Sequence, residues 1–130
     1  MDLSIKTETF GQEDQSWLGS AHGTDTARSI TLDMTTFTAG THYPDGFLKS
    51  GLPLGKITAT GKYGLYADGA SDGRQTCVGF LFTAVKAPAS TATPAVGAML
   101  LHCFVVEAKL PAPGIDANGK ADLAGRIIFV

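Results

Sequence analysis

Three histidines and two cysteines are the residues best suited to chemistry: His22, His42, His102, Cys77 and Cys103. An imidazole can act as a general base or a metal ligand, and a thiolate as a nucleophile or a soft ligand. The spacing supports neither role. His22-Gly23-Thr24-Asp25 puts a histidine near an acid, but in a polar, Gly-interrupted stretch. A catalytic pair needs a rigid frame, so His22 reads as a loop residue. His42 precedes Tyr43-Pro44 and reads as a turn residue. His102, between Leu101 and Cys103, reads as a satisfied core or interface histidine. A metal site built from His102, Cys77 and Cys103 would need the cysteines to face each other and a fourth ligand. On a strand, His102 and Cys103 point to opposite faces. Each cysteine lies in an apolar run rather than a CxxC pair, which predicts buried free thiols and leaves a disulfide between two strands open.

The twelve carboxylates add little. Asp68 and Asp72 lie in Asp-Gly-Ala-Ser-Asp-Gly, which lacks the ligand spacing of a calcium loop and reads as solvated turn acids. There is no GxSxG elbow, phosphate loop, HExxH or CxxC pattern. No catalytic residue, cofactor or metal site is expected, and the chain does not read as an enzyme. Its ten Lys and Arg are scattered and the net charge is −2, which argues against nucleic acid as the main partner. Only 17% of residues are charged while 44% are hydrophobic. Such a composition suggests that part of the surface is hidden against partners.

The elements that would position these groups are mostly strands. At 130 residues the chain is expected to hold one domain. Residues 1–28 are polar and without sustained period, and are expected to form a flexible arm ahead of a β-rich domain over 29–130. Trp17-Leu18 in that arm has two readings: both side chains tuck back onto the domain, or they form an anchor that orders on a partner. Ser29–Asp33 alternates and predicts a half-buried strand. Met34–Thr41 reads as extended or irregular, Pro44-Asp45-Gly46 as a turn, and Phe47–Lys49 as a short strand. Lys56–Thr60 and Tyr63–Ala67 predict a hairpin across a tight Gly61-Lys62 reversal. Thr76–Lys86 and Val96–Val106 are apolar on both faces. Burying both faces of two such strands within one small domain is hard, which points to subunit contacts. Ala121–Gly125 reads as a helical turn and Arg126–Val130 as a terminal strand. No signal peptide is visible, and the longest apolar run is too short to span a bilayer, so no membrane partner is expected.

The order of these segments resembles a family. Gly51-Leu-Pro-Leu-Gly-Lys-Ile-Thr is followed by a Gly-Lys-Tyr hairpin, an Asp-Gly loop, Val78-Gly-Phe-Leu, a Pro/Ser/Thr loop, the long apolar strand with Leu110-Pro111, and Asp122-Leu-Ala-Gly-Arg-Ile-Ile-Phe-Val. This is similar to the head decoration proteins of tailed bacteriophages, the lambda decoration protein group. The region from Ser16 to Phe37 is similar to decoration proteins from phages of actinobacteria. The resemblance covers most of the chain, and the order carries it more than any single motif.

The resemblance implies a mainly β fold, a compact domain of the β-clip or β-tulip type with little helix. It implies homotrimers at the three-fold positions of an expanded capsid, cementing the major capsid protein against the pressure of packaged DNA. The protein would then lie on the outer capsid surface of the virion, after assembly in the host cytoplasm. The arm would order on the capsid by strand pairing. On that view Trp17, Leu18, Ile30, Leu32, Met34 and Phe37 are candidate capsid-binding residues. Leu100, His102, Phe104, Leu110 and Pro111 are candidate trimer contacts. The alternatives are another virion β module, such as a tail-tube or fibre component, and a small hydrolase or metal-binding enzyme.

Overall fold

In a computed structural model, residues 3, 5 and 13–130 are described. Among the described residues nine strands follow in chain order: β1 (Arg28–Leu32), β2 (Phe47–Leu48), β3 (Pro53–Lys56), β4 (Tyr63–Leu65), β5 (Gly79–Leu81), β6 (Val85–Lys86), β7 (Ala95–Leu100), β8 (Cys103–Val105) and β9 (Ile127–Phe129). Two short helices interrupt them, α1 (Ala39–His42) and α2 (Ala117–Asp122). The fold is mainly β, as the sequence predicts.

Five strands close into a barrel in the order β1-β4-β3-β5-β7. β7 returns beside β1 and pairs with it antiparallel over its full length, from Arg28 opposite Met99 to Leu32 opposite Ala95. Only β1 and β4 run parallel within the ring, meeting at Leu32 and Tyr63. β2 and β6 form a small antiparallel pair. β8 and β9 run parallel, with Cys103, Phe104 and Val105 opposite Ile127, Ile128 and Phe129.

The alternation of β5 and β7 explains the two cores. Leu81 and Met99 join Ile30, Leu32, Leu54 and Ala95 in one buried cluster, capped by Met34, Phe37, Leu48 and Leu52. Phe80 and Leu100, one residue away on each strand, turn to the other side of the sheet. There they meet Trp17, Tyr66, Cys77, Cys103, Val105, Leu123 and Ile127 in a second cluster. Around Phe80, Leu81, Met99 and Leu100 both faces of these strands are covered by this chain itself, while Val96 at the start of β7 is 72% exposed. For these four residues, burial of the second face does not depend on another subunit.

Several boundaries differ from the sequence reading, for physical reasons. The run Thr76–Lys86 is not one strand but β5 and β6 with a bend between. Val96–Val106 likewise breaks at Leu101-His102, so the chain leaves the barrel and enters the β8–β9 pair. The hairpin is present, with Leu54 opposite Leu65 and Lys56 opposite Tyr63. Its first strand ends at Lys56, however, and residues 57–62 form the turn, closed by Ile57 N–H to the Lys62 carbonyl at 2.8 Å. Met34–Thr41 is helical in part. Asp33 caps a single 3-10 turn over Met34–Thr36 by accepting the Thr35 N–H at 3.0 Å. His42, expected in a turn, is the last residue of α1 and is buried.

Candidate functional site

The segment ahead of β1 determines what surface the molecule offers. Trp17 is 1% exposed and sits in the second core against Phe80, with ring centroids 5.6 Å apart. Its indole N–H donates to Ser50 Oγ at 2.9 Å, and Ser50 donates onward to the Phe82 carbonyl. A buried indole needs such a partner. The flanking backbone joins the sheet: Val106 N–H donates to the Trp17 carbonyl at 2.6 Å and Gly19 N–H to the Phe104 carbonyl at 2.9 Å. Leu18 bridges antiparallel to Val105. Upstream, Gln15 donates to the Phe82 carbonyl at 2.9 Å and the Glu13 carboxylate accepts the Ala84 N–H. Of the two readings of Trp17, the packed one describes this structure.

The same packing decides where the other capsid-binding candidates lie. Ile30, Leu32, Met34 and Phe37 are buried in the first core, and Leu18 is half-buried. Of this group only Leu18 has appreciable exposure. Among the trimer candidates, Leu100 is fully buried within the monomer, and Phe104, Leu110 and Pro111 are half-buried. His102 is exposed.

Phe104 belongs to a surface that sequence patterning did not single out. In the parallel β8–β9 pair, Phe104 lies opposite Ile128. Ile128 and Val130, two residues apart on one face of the chain, are 54% and 66% exposed. Gly19 crosses beside them: a Cβ there would lie 3.1 Å from Phe104 Cβ and 3.4 Å from Val130 Cγ2. The His22 ring packs edge-on to Phe104 with centroids 5.4 Å apart. An exposed apolar face thus runs from the N-terminal segment over β8 to the last strand. Among the described residues β9 pairs only with β8, so its outer backbone edge is available for strand addition.

At one end of this face His22 Nε2 and His102 Nδ1 are 2.9 Å apart. The sequence reading placed these histidines in unrelated roles, because 80 residues separate them. Gly23 makes their meeting possible. Its φ of +76 lets the chain lie against the His102 carbonyl, where any Cβ would collide. No group of three or more metal-binding side chains occurs among the described residues. Cys77 and Cys103 are both buried as free thiols, which answers the question of their pairing. Burial pushes the Cys77 thiol up to about 12 and the Cys103 thiol to about 11, so neither is a thiolate at neutral pH.

Elsewhere the polar groups serve structure. Asp116 caps α2 by accepting the Gly119 N–H at 2.7 Å, and it also accepts the Tyr66 hydroxyl at 2.7 Å. These bonds, the Gly119 one foremost, hold its carboxyl below the usual range. Burial first, then the hydrogen bond to Asp116, raises the Tyr66 phenol. Asp122 accepts the Cys77 N–H at 3.0 Å, and Arg126 donates to the Val78 carbonyl at 3.1 Å. A cleft of about 240 Å³ lies beside the docked segment, lined in part by Asp14, Asp45, Lys49, Ser50, Lys109 and Pro111. Its charges are of both signs and its floor is partly apolar, so it favours no single ligand class.

The site is a surface for contact, with apolar area and an open strand edge. Comparison with known proteins agrees with that character. A search of curated proteins finds no match. The family model described as bacteriophage lambda head decoration protein D matches residues 12–125, nearly the whole chain. The chain therefore belongs to the bacteriophage lambda head decoration protein D family, structural proteins of the phage capsid.

Proposed function

We propose that the protein is a trimeric cement protein that binds the outer surface of the expanded capsid at three-fold sites and holds it against the pressure of packaged DNA. The observation that carries this reading is the family match, together with the exposed apolar face of Phe104, Ile128 and Val130 beside the open edge of β9. Such a face suits β-augmentation, in which backbone bonds supply affinity and alternate side chains set register. Three copies of the contact on one trimer raise the effective concentration of the second and third once the first is made. A protein that binds only the expanded lattice shifts the capsid toward that state.

The arm expected over residues 1–28 keeps a place in this proposal, but its division changes. Residues 17–19 pair with β8 and Trp17 fills the core, so any segment that orders on the capsid ends before them. Leu18 and the Phe104 face flank that junction and are the proposed contact residues, with Leu110 and Pro111 assigned to subunit packing.

The test mixes purified protein with expanded, undecorated heads and measures co-sedimentation, alongside the solution mass of the free protein. Wild type is expected to bind and to be a trimer. Ile128→Asp is expected to stay folded and to lose binding. Deletion of residues 1–12, which leaves Trp17 in place, is expected to weaken binding without unfolding. A monomeric mass would overturn the trimer. Full binding by Ile128→Asp would move the contact elsewhere.

A further inference from the structure

His22 and His102 lie at the rim of the contact face and take part in no structural network beyond their own contact and the edge of Phe104. Both rings are exposed, and among the described residues neither has another hydrogen-bond partner. In the neutral pair one ring N–H donates to the other ring's lone pair, and a metal ion would displace that shared proton and take both nitrogens. Imidazole binds divalent metals at about 2.0–2.1 Å. Two such nitrogens bound at a right angle would sit about 2.9 Å apart, and at the tetrahedral angle about 3.3 Å. The observed 2.9 Å is a hydrogen-bond length and is also short enough for one ion to span both nitrogens, with the late divalent metals that favour imidazole, Cu²⁺ and Ni²⁺ foremost, binding most tightly. A modest rotation of both exposed rings would aim the two lone pairs at one ion.

The backbone around the pair holds it in place. His22 N–H is held by Ser20 Oγ at 3.1 Å, Thr24 Oγ1 donates to the Ala21 carbonyl at 2.7 Å, and Thr26 Oγ1 to the Gly23 carbonyl at 2.8 Å. Gly23 rests on the His102 carbonyl. On the other side, His102 sits at the bend that joins β7 to β8, between two fully buried residues, Leu100 and Cys103.

We propose that His22 and His102 form a two-imidazole site for a divalent late-transition-metal ion, Cu²⁺ or Ni²⁺ above all, with water in the remaining positions. Bound metal clips the segment Ser20–Thr26 to the β7–β8 bend and so reinforces the docking of Trp17. The remaining histidine, His42, is buried with its Nδ1 accepting the Thr38 N–H at 2.8 Å, so it does not compete.

The experiment uses the full chain without an affinity tag. Cu²⁺ is titrated in and followed by electron paramagnetic resonance, and thermal unfolding is recorded with and without Ni²⁺. The expected result is one ion per chain, a spectrum with two equivalent-type nitrogen couplings, and a raised melting temperature. His22→Gln and His102→Gln, both surface changes, should each weaken binding on the order of a hundredfold by removing the chelate, and abolish the thermal shift. Fluorescence of Trp17 checks that the variants are folded. Unsaturable uptake by the wild type, or equal uptake by the double variant, would mean adventitious binding only and overturn the site.

Discussion

The indole of Trp17 donates to the hydroxyl of Ser50 at 2.9 Å, linking the segment ahead of β1 to the turn that opens β3. Through this bond a region of unpatterned sequence becomes part of the second core. Trp17→Ala is accordingly expected to cost about 3–5 kcal/mol in urea denaturation, the usual range for deleting a buried aromatic. Trp17→Phe keeps most of the packing, loses the hydrogen bond, and should cost about 1 kcal/mol. An unchanged urea midpoint for Trp17→Ala would show that the side chain is not docked in solution.

Gly51 makes room for that indole. Its φ is +95, and a Cβ would lie 2.9 Å from Pro111 Cδ and 3.0 Å from Trp17 Cδ1. Gly46 has a similar φ of +85 but open space around it. Gly46→Ala should therefore report the backbone cost alone, about 1–2 kcal/mol. Gly51→Ala should cost more, because the clash adds to it. Equal losses in parallel denaturation curves would remove the steric part of this account.

The two thiols are expected to be silent in the native state. With Cys77 raised to about 12 and Cys103 to about 11 by burial, the nucleophilic form is scarce at pH 7 and inaccessible. A thiol-reactive chromogen should label neither in native protein and both in denaturant. Rapid native labelling, or fewer than two thiols on denaturation, would contradict the packing.

His42 should make stability fall in mild acid. Burial, then the nearby Lys49, lowers its pKa below the ordinary value near 6.5. The unfolded chain thus takes up a proton before the folded one does. The contribution is complete above about pH 6.5 and is lost as the pH falls from there through the folded value. Protonation also removes the lone pair that accepts the Thr38 N–H. The drop in urea midpoint between pH 7.5 and 5.5 is expected to be smaller in His42→Gln than in wild type. An identical drop would assign the acid sensitivity to other groups.

How far the sequence reveals this molecule depends on how local each determinant is. Alternation in Ser29–Asp33 and the apolar tail Ile127–Phe129 mark strands that the structure contains, because burial of one face leaves a period of two. The breaks at Leu101-His102 and between β5 and β6 leave no such mark. Both sides of each break are apolar: past Leu101-His102 the chain enters the second core through Cys103 and Val105, and past β5 it packs on the first core through Val85. The role of Trp17 is illegible for the opposite reason: its partners Ser50 and Phe80 lie far along the chain, and nothing near it repeats. The His22–His102 contact depends on Gly23 fitting under a distant carbonyl, a relationship that only the folded backbone defines. The family, by contrast, is legible from segment order, because order survives where single motifs drift.

Barrel closure has a temporal consequence. β7 bridges β5 on one side and β1 on the other, so the ring stays open until Leu100 has been synthesised. Until then β1 lacks its antiparallel neighbour, and a nascent chain emerging from the ribosome carries bare strand edges. β9, whose Ile127 shares the second core with Trp17, is made after β8. Folding is therefore governed by pairings distant in sequence, the class that forms slowly. The period of greatest exposure to wrong partners falls before β7 leaves the tunnel, when the chain is most dependent on the host's chaperones.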